Sequence, residues 1–268
     1  MITLPNIGLD LRRSLAIQRR VIHALIMREV ITRYGREGLG VLWFLLEPAL
    51  FTLVVTIIWY YYRLQTVTTF PVIAFSLTGF SLLQLWRNGA NRAATALEPN
   101  QGLITHRNVK LLDVFMARVF LEWAGATGAF LLLSMAMTVA GVIAPPEDLG
   151  YVLVGWLLIA WFSLGLGLVV GALSAIFSVF EKIWRPMSYP LFLLSGVFFM
   201  VDWLPVSLRE FILWVPMVHG NEMVRHGFFG SIVTTYENPS YLLVVNLVVT
   251  FIGLSLAKYA QRENSGQR

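Results

Sequence analysis

The chain has 268 residues, 57% of them hydrophobic and only 13% charged, with a mean hydropathy of +0.70. A soluble domain carries about a quarter charged residues, so this composition excludes one and predicts an all-α polytopic membrane protein. The absence of cysteine rules out disulfides, thiolate metal sites and a Cys nucleophile, and the net charge of +5 comes from basic residues placed as topology signals rather than as a nucleic-acid footprint.

Residues 1–43 interleave Arg12, Arg13, Arg19, Arg20, Arg28, Arg33 and Arg36 with apolar residues at mostly helical spacing. That pattern predicts a basic amphipathic helix in the headgroup region, without the short apolar core and small-residue cleavage site of a secretory signal. Gly35, Gly38 and Gly40 form an expected hinge before the first apolar run. Residues 44–62 are long enough to cross a bilayer at roughly 1.5 Å per residue. Glu47 and Pro48 fall in that span's expected first turn, and Trp59, Tyr60, Tyr61 and Tyr62 close it. A second span is predicted over 71–87, and residues 91–113 read as a cytoplasmic loop.

The third run, 114–144, is long enough to tilt or protrude, and Arg118 and Glu122 are spaced to pair on one helix face. A fourth span is expected over 151–177, where Gly155, Gly165, Gly167 and Gly171 permit close helix approach. Residues 181–185 read as a cytoplasmic turn, followed by a short fifth span over 186–201. Residues 202–239 hold apolar runs too short to cross, broken by Pro205, Pro216, His219, Glu222 and Arg225. Two short re-entrant helices fit that segment, and Glu222 is spaced to pair with Arg225 or His226. Residues 241–257 form the last span, the membrane domain covers 44–260, and 261–268 are a cytoplasmic tail. On this six-span reading seventeen of the twenty Lys and Arg lie inside, leaving Arg63, Arg209 and Arg225 outside, so both termini are cytoplasmic.

Enzyme motifs are missing from the chain. It has no GxxxxGK[ST] loop and no HExxH, and four His with no Cys argue against a metal site. Ser195 and Gly196 with His219 lack the setting of a nucleophile elbow. Glu47 and Glu122 could mark a proton relay, but Arg neighbours near the cytoplasmic end favour satisfied charges.

Three stretches carry a family resemblance. REVITRYGREGLGVLWFLLEP (28–48) resembles the N-terminal signature of ABC-2-type polysaccharide export permeases, RE-x-x-x-RYG-x-x-x-LG-x-LW-x-x-LEP. EPNQGLITHRNVKLLDVFMARVFLE (98–122) is similar to the first cytoplasmic loop of their capsule-exporting branch. WVPMVHGNEMVRHGFFG (214–230) resembles the block before their final span, with Val215 in place of the usual Asn. The resemblance implies the six-helix ABC-2, or type V exporter, fold in a bacterial inner membrane. It also implies a homodimer bound to two ABC ATPase subunits, exporting capsular polysaccharide on a lipid anchor. A periplasmic adaptor and outer-membrane export proteins are expected partners. ATP and Mg belong to the partner ATPase, with no cofactor in this chain.

By matching positions, residues 97–107 around Glu98, Pro99, Asn100 and Gln101 become a coupling helix, and Arg28, Glu29, Arg33 and Tyr34 the gate or interface helix. Trp203, Trp214, His219, Glu222 and Arg225 become an external gate. Trp59–Tyr62 offer sugar-stacking faces along a channel, or an interfacial aromatic belt. The rival cargoes are O-antigen or teichoic acid; a proton-coupled transporter or channel and a membrane enzyme are readings of another class.

Overall fold

The computed structural model describes residues 7–34, 40–63, 71–106 and 109–266. They form α1 (Ile7–Tyr34), α2 (Gly40–Arg63), α3 (Val72–Ala94), α4 (Leu97–His106), α5 (Leu111–Val139), α6 (Leu149–Ile176), α7 (Ser178–Leu194), α8 (Val206–Ile212), α9 (Pro216–Phe229) and α10 (Pro239–Gly266). No strand occurs among the described residues. Among the described residues, four helices are long and apolar enough to cross a membrane: Leu42–Tyr61 of α2, all of α5 and α6, and Pro239–Asn264 of α10. Gly35, Arg36, Gly38 and Arg107 lie outside the described residues.

The fold is assembled around α3, whose residues 74–86 are all buried. It packs against α2, α5 and α6, with α7 and α9 touching its remaining faces. A helix enclosed on every side needs no polar face, yet Ser76, Thr78, Ser81 and Gln84 are buried in it. Such polar groups are tolerated when they find acceptors. Thr78 bonds back to the Ala74 and Phe75 carbonyls and Gln84 reaches across to α2, whereas the Ser76 and Ser81 hydroxyls have no hydrogen-bond partner among the described residues.

A second hub, α6, uses the four expected glycines at four close approaches. A Cβ on Gly155 would stand 2.9 Å from Val224 of α9, and one on Gly165 3.0 Å from Thr250 of α10. At Gly167 and Gly171 it would meet Val119 (2.7 Å) and Phe115 (2.9 Å) of α5. Each neighbour therefore sits closer than any larger residue would allow, which is how helices without a hydrophobic drive between them gain packing contact.

Several boundaries differ from the sequence reading. The second expected span, α3, does not end at 87; it continues two turns to Ala94, and together with α4 and the first residues of α5 it makes most of the expected loop helical. The expected turn at 181–185 is the start of α7, because Trp184 buries its ring and its Nε1 donates to Asn91 on α3 (2.8 Å). A single residue, Phe177, separates α6 from α7. Pro48 is not in a first turn: α2 begins at Gly40, so Pro48 lies eight residues in. The third long helix spans Leu111–Val139 rather than 114–144, and α10 runs unbroken through the expected tail to Gly266.

Between α7 and α10 the chain folds as two short helices, α8 and α9. Gly196, at φ 83°, takes the left-handed conformation that turns the chain out of α7.

Candidate functional site

Four helices wall a cleft of about 530 Å³, and each contributes residues at the three- and four-residue spacing of one helix face. Phe44, Glu47, Pro48 and Phe51 come from α2, and Gln84, Arg87, Asn88, Asn91, Arg92 and Thr95 from α3. Glu122, Gly125 and Ala126 come from α5, and Arg185, Ser188 and Tyr189 from α7. The cleft thus holds three guanidinium groups against two carboxylates.

Local contacts fix several of these groups. Arg87 donates from Nε and Nη2 to Ser188 Oγ (3.3 and 3.2 Å) while its guanidinium lies 4.6 Å from the Tyr189 ring centre. Gln84 Nε2 donates to the Pro48 carbonyl (2.9 Å) and to Thr52 Oγ1 (2.7 Å), tying α3 to the proline-interrupted part of α2.

An ionic network joins one end of the cleft to α1 and α4. Arg33 Nη1 donates to Glu122 Oε1 at 2.6 Å, and its Nε and Nη2 hold Glu29 Oε1 at 3.0 and 2.8 Å. Arg92 Nε approaches the same Glu122 oxygen at 3.3 Å, while Arg118 Nη2 lies 3.4 Å from Glu29 Oε1. One turn back, Arg28 Nη1 donates to Asn100 Oδ1 of α4 at 2.7 Å. Burial pulls the Arg33 guanidinium down, but Glu122 and then Glu29 outweigh it, so the group ends above its ordinary value and stays charged.

The expected Arg118–Glu122 pair is not formed. Arg118 turns toward the C-terminus of α3, donating to the Arg92 and Thr95 carbonyls (3.0 and 2.9 Å), and Glu122 takes Arg33 and Arg92 instead. A helical spacing of four permits a pair; carbonyls at a helix end and two guanidiniums from other helices offer more.

On α4, Glu98, Pro99 and Gln101 are exposed, whereas Asn100 is buried and its Nδ2 caps the Ala96 carbonyl. Tyr34 closes α1, but its side chain lies outside the described residues, as does that of Tyr62. Trp59 is half-buried, its ring 6.5 Å from Phe75 and 5.7 Å from Phe198, while Tyr60 and Tyr61 are 39% and 66% exposed. Trp59, Tyr60 and Tyr61 do not line the cleft.

Around α9 the polar residues hold backbone. Arg225, fully buried, donates to the Gly196, Phe199 and Val197 carbonyls (2.6, 2.8 and 3.0 Å) and lies 3.8 Å from the Phe75 ring centre. Glu222 accepts from the Val201 and Tyr236 amides (3.4 and 3.2 Å). It therefore does not form the ion pair with Arg225 that their spacing allowed, and His226 Nδ1 lies 2.5 Å from Glu237 instead. His219 bridges the Leu213 carbonyl and the Asn238 amide. Trp203 lies 5.2 Å from Phe75, and Trp214 is 75% exposed.

The cleft residues of α3 and α7 were missed in the sequence. A signal was present: positions 84, 87, 88, 91, 92 and 95 form one polar stripe at helical spacing, hidden once the span is taken to end at 87.

Among the described residues, four apolar helices of bilayer length define a polytopic membrane protein, and two of them, α2 and α5, help wall a charged cleft. Residues 20–229 match the ABC-2 type transporter family, and the chain belongs to it. It is 47% identical over 243 residues to the capsule polysaccharide export inner-membrane protein CtrC of Neisseria meningitidis serogroup A, covering 91% of this chain and 92% of that one. To BexB of Haemophilus influenzae, a protein of the same description, it is 44% identical over 247 residues, 92% of this chain and 93% of the relative. The polysialic acid transport protein KpsM of Escherichia coli is 30% identical over 254 residues, 95% and 98% of the two chains.

Proposed function

We propose that this chain is the transmembrane subunit of an ATP-driven exporter that moves lipid-linked capsular polysaccharide across the bacterial inner membrane. The observation that carries the reading is the 47% identity to a capsule polysaccharide export inner-membrane protein over nearly the full length of both chains. The cleft supports it: a hydrated, often anionic glycan cannot enter hydrocarbon, where one charge costs several kcal/mol, and needs polar walls between helices.

In this reading α3 and α7 complete six spans with α2, α5, α6 and α10, and α8 and α9 dip into the outer leaflet and return. The α1 helix lies at the cytoplasmic interface, and both termini are cytoplasmic, as the distribution of Lys and Arg favours. The cleft mouth beside α1 and α4 is the cytoplasmic entrance. Two copies form the conduit with two ATPase subunits, each seated on the exposed face of α4 through Glu98, Pro99 and Gln101. Asn100 and the α1 residues Arg28, Glu29, Arg33 and Tyr34 brace that seat. Of the stretch Trp59–Tyr62, the exposed Tyr61 offers its ring to sugar faces beyond the cleft, while Trp59 packs on Phe75 and Phe198. Trp203, Trp214, His219, Glu222 and Arg225 belong to an outer gate, and a periplasmic adaptor and outer-membrane proteins receive the polymer. ATP and Mg act in the partner subunit.

Co-expression with and without neighbouring ATPase candidates tests this. Glycan-stimulated hydrolysis is expected only in the complex, and deletion of the chain in an encapsulated host should trap polymer inside the cell. Solute movement by the purified chain with no ATPase present overturns it.

A further inference from the structure

Glu122 presents one oxygen to two guanidinium groups that hold it unequally. Arg33 approaches at 2.6 Å with its side chain 15% exposed, whereas Arg92 stands at 3.3 Å, 43% exposed, on the cleft wall. Among the described residues, the terminal nitrogens of Arg92 meet no acceptor. A planar guanidinium with a free edge binds phosphate or carboxylate in a paired geometry. An anion entering the cleft therefore competes with Glu122 for Arg92 but not for Arg33, which lies on α1 and is also held by Glu29 of the same helix. From Glu122 the contacts continue through Arg33 to Glu29, and Arg28 on the same helix holds Asn100 of α4.

We propose that Glu122 is a positioning residue that exchanges Arg92 for a saccharide-borne phosphate or carboxylate arriving in the cleft, and so couples cleft occupancy to the seating of α4. The inference rests on the reading of this cleft as the glycan's entrance. The two states differ in one contact, Arg92 on Glu122 or Arg92 on the ligand, and a ligand shifts a conformational balance only through such a difference. Coupling is reciprocal, so a partner that clamps α4 changes anion affinity by the same factor.

The test uses the full chain in lipid nanodiscs with three probes: glucose 1-phosphate, glucuronic acid and neutral methyl glucoside. Binding is measured by calorimetry, and backbone hydrogen exchange is followed across α4. In the unmodified chain a charged probe should change α4 exchange by about 5-fold or more, the lower end of ordinary coupling, while methyl glucoside leaves it unchanged. The stronger of the two acids identifies whether a phosphate linker or the polymer's own carboxylates are read. Glu122→Gln should bind the acid more tightly, with Arg92 released, yet leave α4 unresponsive. Arg92→Gln, at a half-exposed position that leaves Arg33–Glu122 intact, should fold normally and lose binding by about 5-fold or more. An α4 response that survives in Glu122→Gln, undiminished binding in Arg92→Gln, or no response in the unmodified chain overturns the proposal. Polymer export is scored separately in cells, so an exporter that fails this test and a non-exporter that passes it are told apart.

Discussion

Arg225 shows how a single side chain can hold an irregular segment. Its fork satisfies three carbonyls where α7 has ended, with the Phe75 ring against its face, and a Cβ on Gly79 would stand 2.8 Å from Nη2. Arg225→Ala leaves those acceptors unmet and should cost about 3 kcal/mol or more, read as a lower melting temperature in detergent. Arg225→Lys should rescue little, because a point charge cannot serve three divergent oxygens. Nearby, burial pushes the Glu237 carboxyl up, but the Thr235 hydroxyl and His226 pull it further down, leaving it below its ordinary value of 4.5. A carboxylate held low in the folded state stabilises it above the ordinary value and loses that contribution as pH falls through the folded one. Thermal stability should therefore drop as the medium is acidified below about pH 4.5, and Glu237→Gln should flatten that part of the profile. Sequence spacing singled out Glu222, Arg225 and His226 but misassigned their partners. Spacing along one helix gives the neighbours a side chain can reach, whereas burial lets distant backbone win.

At the scale of elements, the polar stripe of α3 and the proline of α2 act together. Pro48 brings no N–H to the helix interior, and Gln84 braces that stretch by donating to its carbonyl and to Thr52. Gln84→Leu should loosen α2 against α3 and speed backbone exchange over residues 48–52 without unfolding the remaining helices. Gly102 of α4 has nothing within 4 Å of where a Cβ would stand. Gly102→Ala should therefore stabilise α4 by about 1 kcal/mol, seen as slower exchange in that helix. The apolar helices were legible in the sequence because bilayer-length runs have few alternatives. The extension of α3 and the start of α7 were not, since charged and polar residues there face a cleft that only tertiary packing creates.

For the whole molecule, α4 has an exposed face and a braced one, and under the proposed ATPase seat the two predict different outcomes. Glu98→Ala removes only an exposed side chain, so it should reduce ATPase capture in pull-downs while leaving the chain's melting temperature unchanged. Asn100→Ala also breaks the tie to Arg28 and should lower both. The aromatic stretch divides in the same way. Trp59→Ala removes packing against Phe75 and Phe198 and should cost stability, whereas Tyr61→Ala should slow polymer release in cells with normal membrane levels of the protein. The family pattern grouped these residues, and only their burial sorts them.

A single residue, Phe177, joins α6 to α7, and Pro186 and Pro190 interrupt the second of these helices. A swing of that arm relative to α2 would draw on the backbone angles at Phe177, with the two prolines as further bending points. The arm carries Arg185, Ser188 and Tyr189 on its inner side, so a few degrees at Phe177 would move all three together and alter the aperture in one stroke. Width and chemistry of the opening would in this way change together.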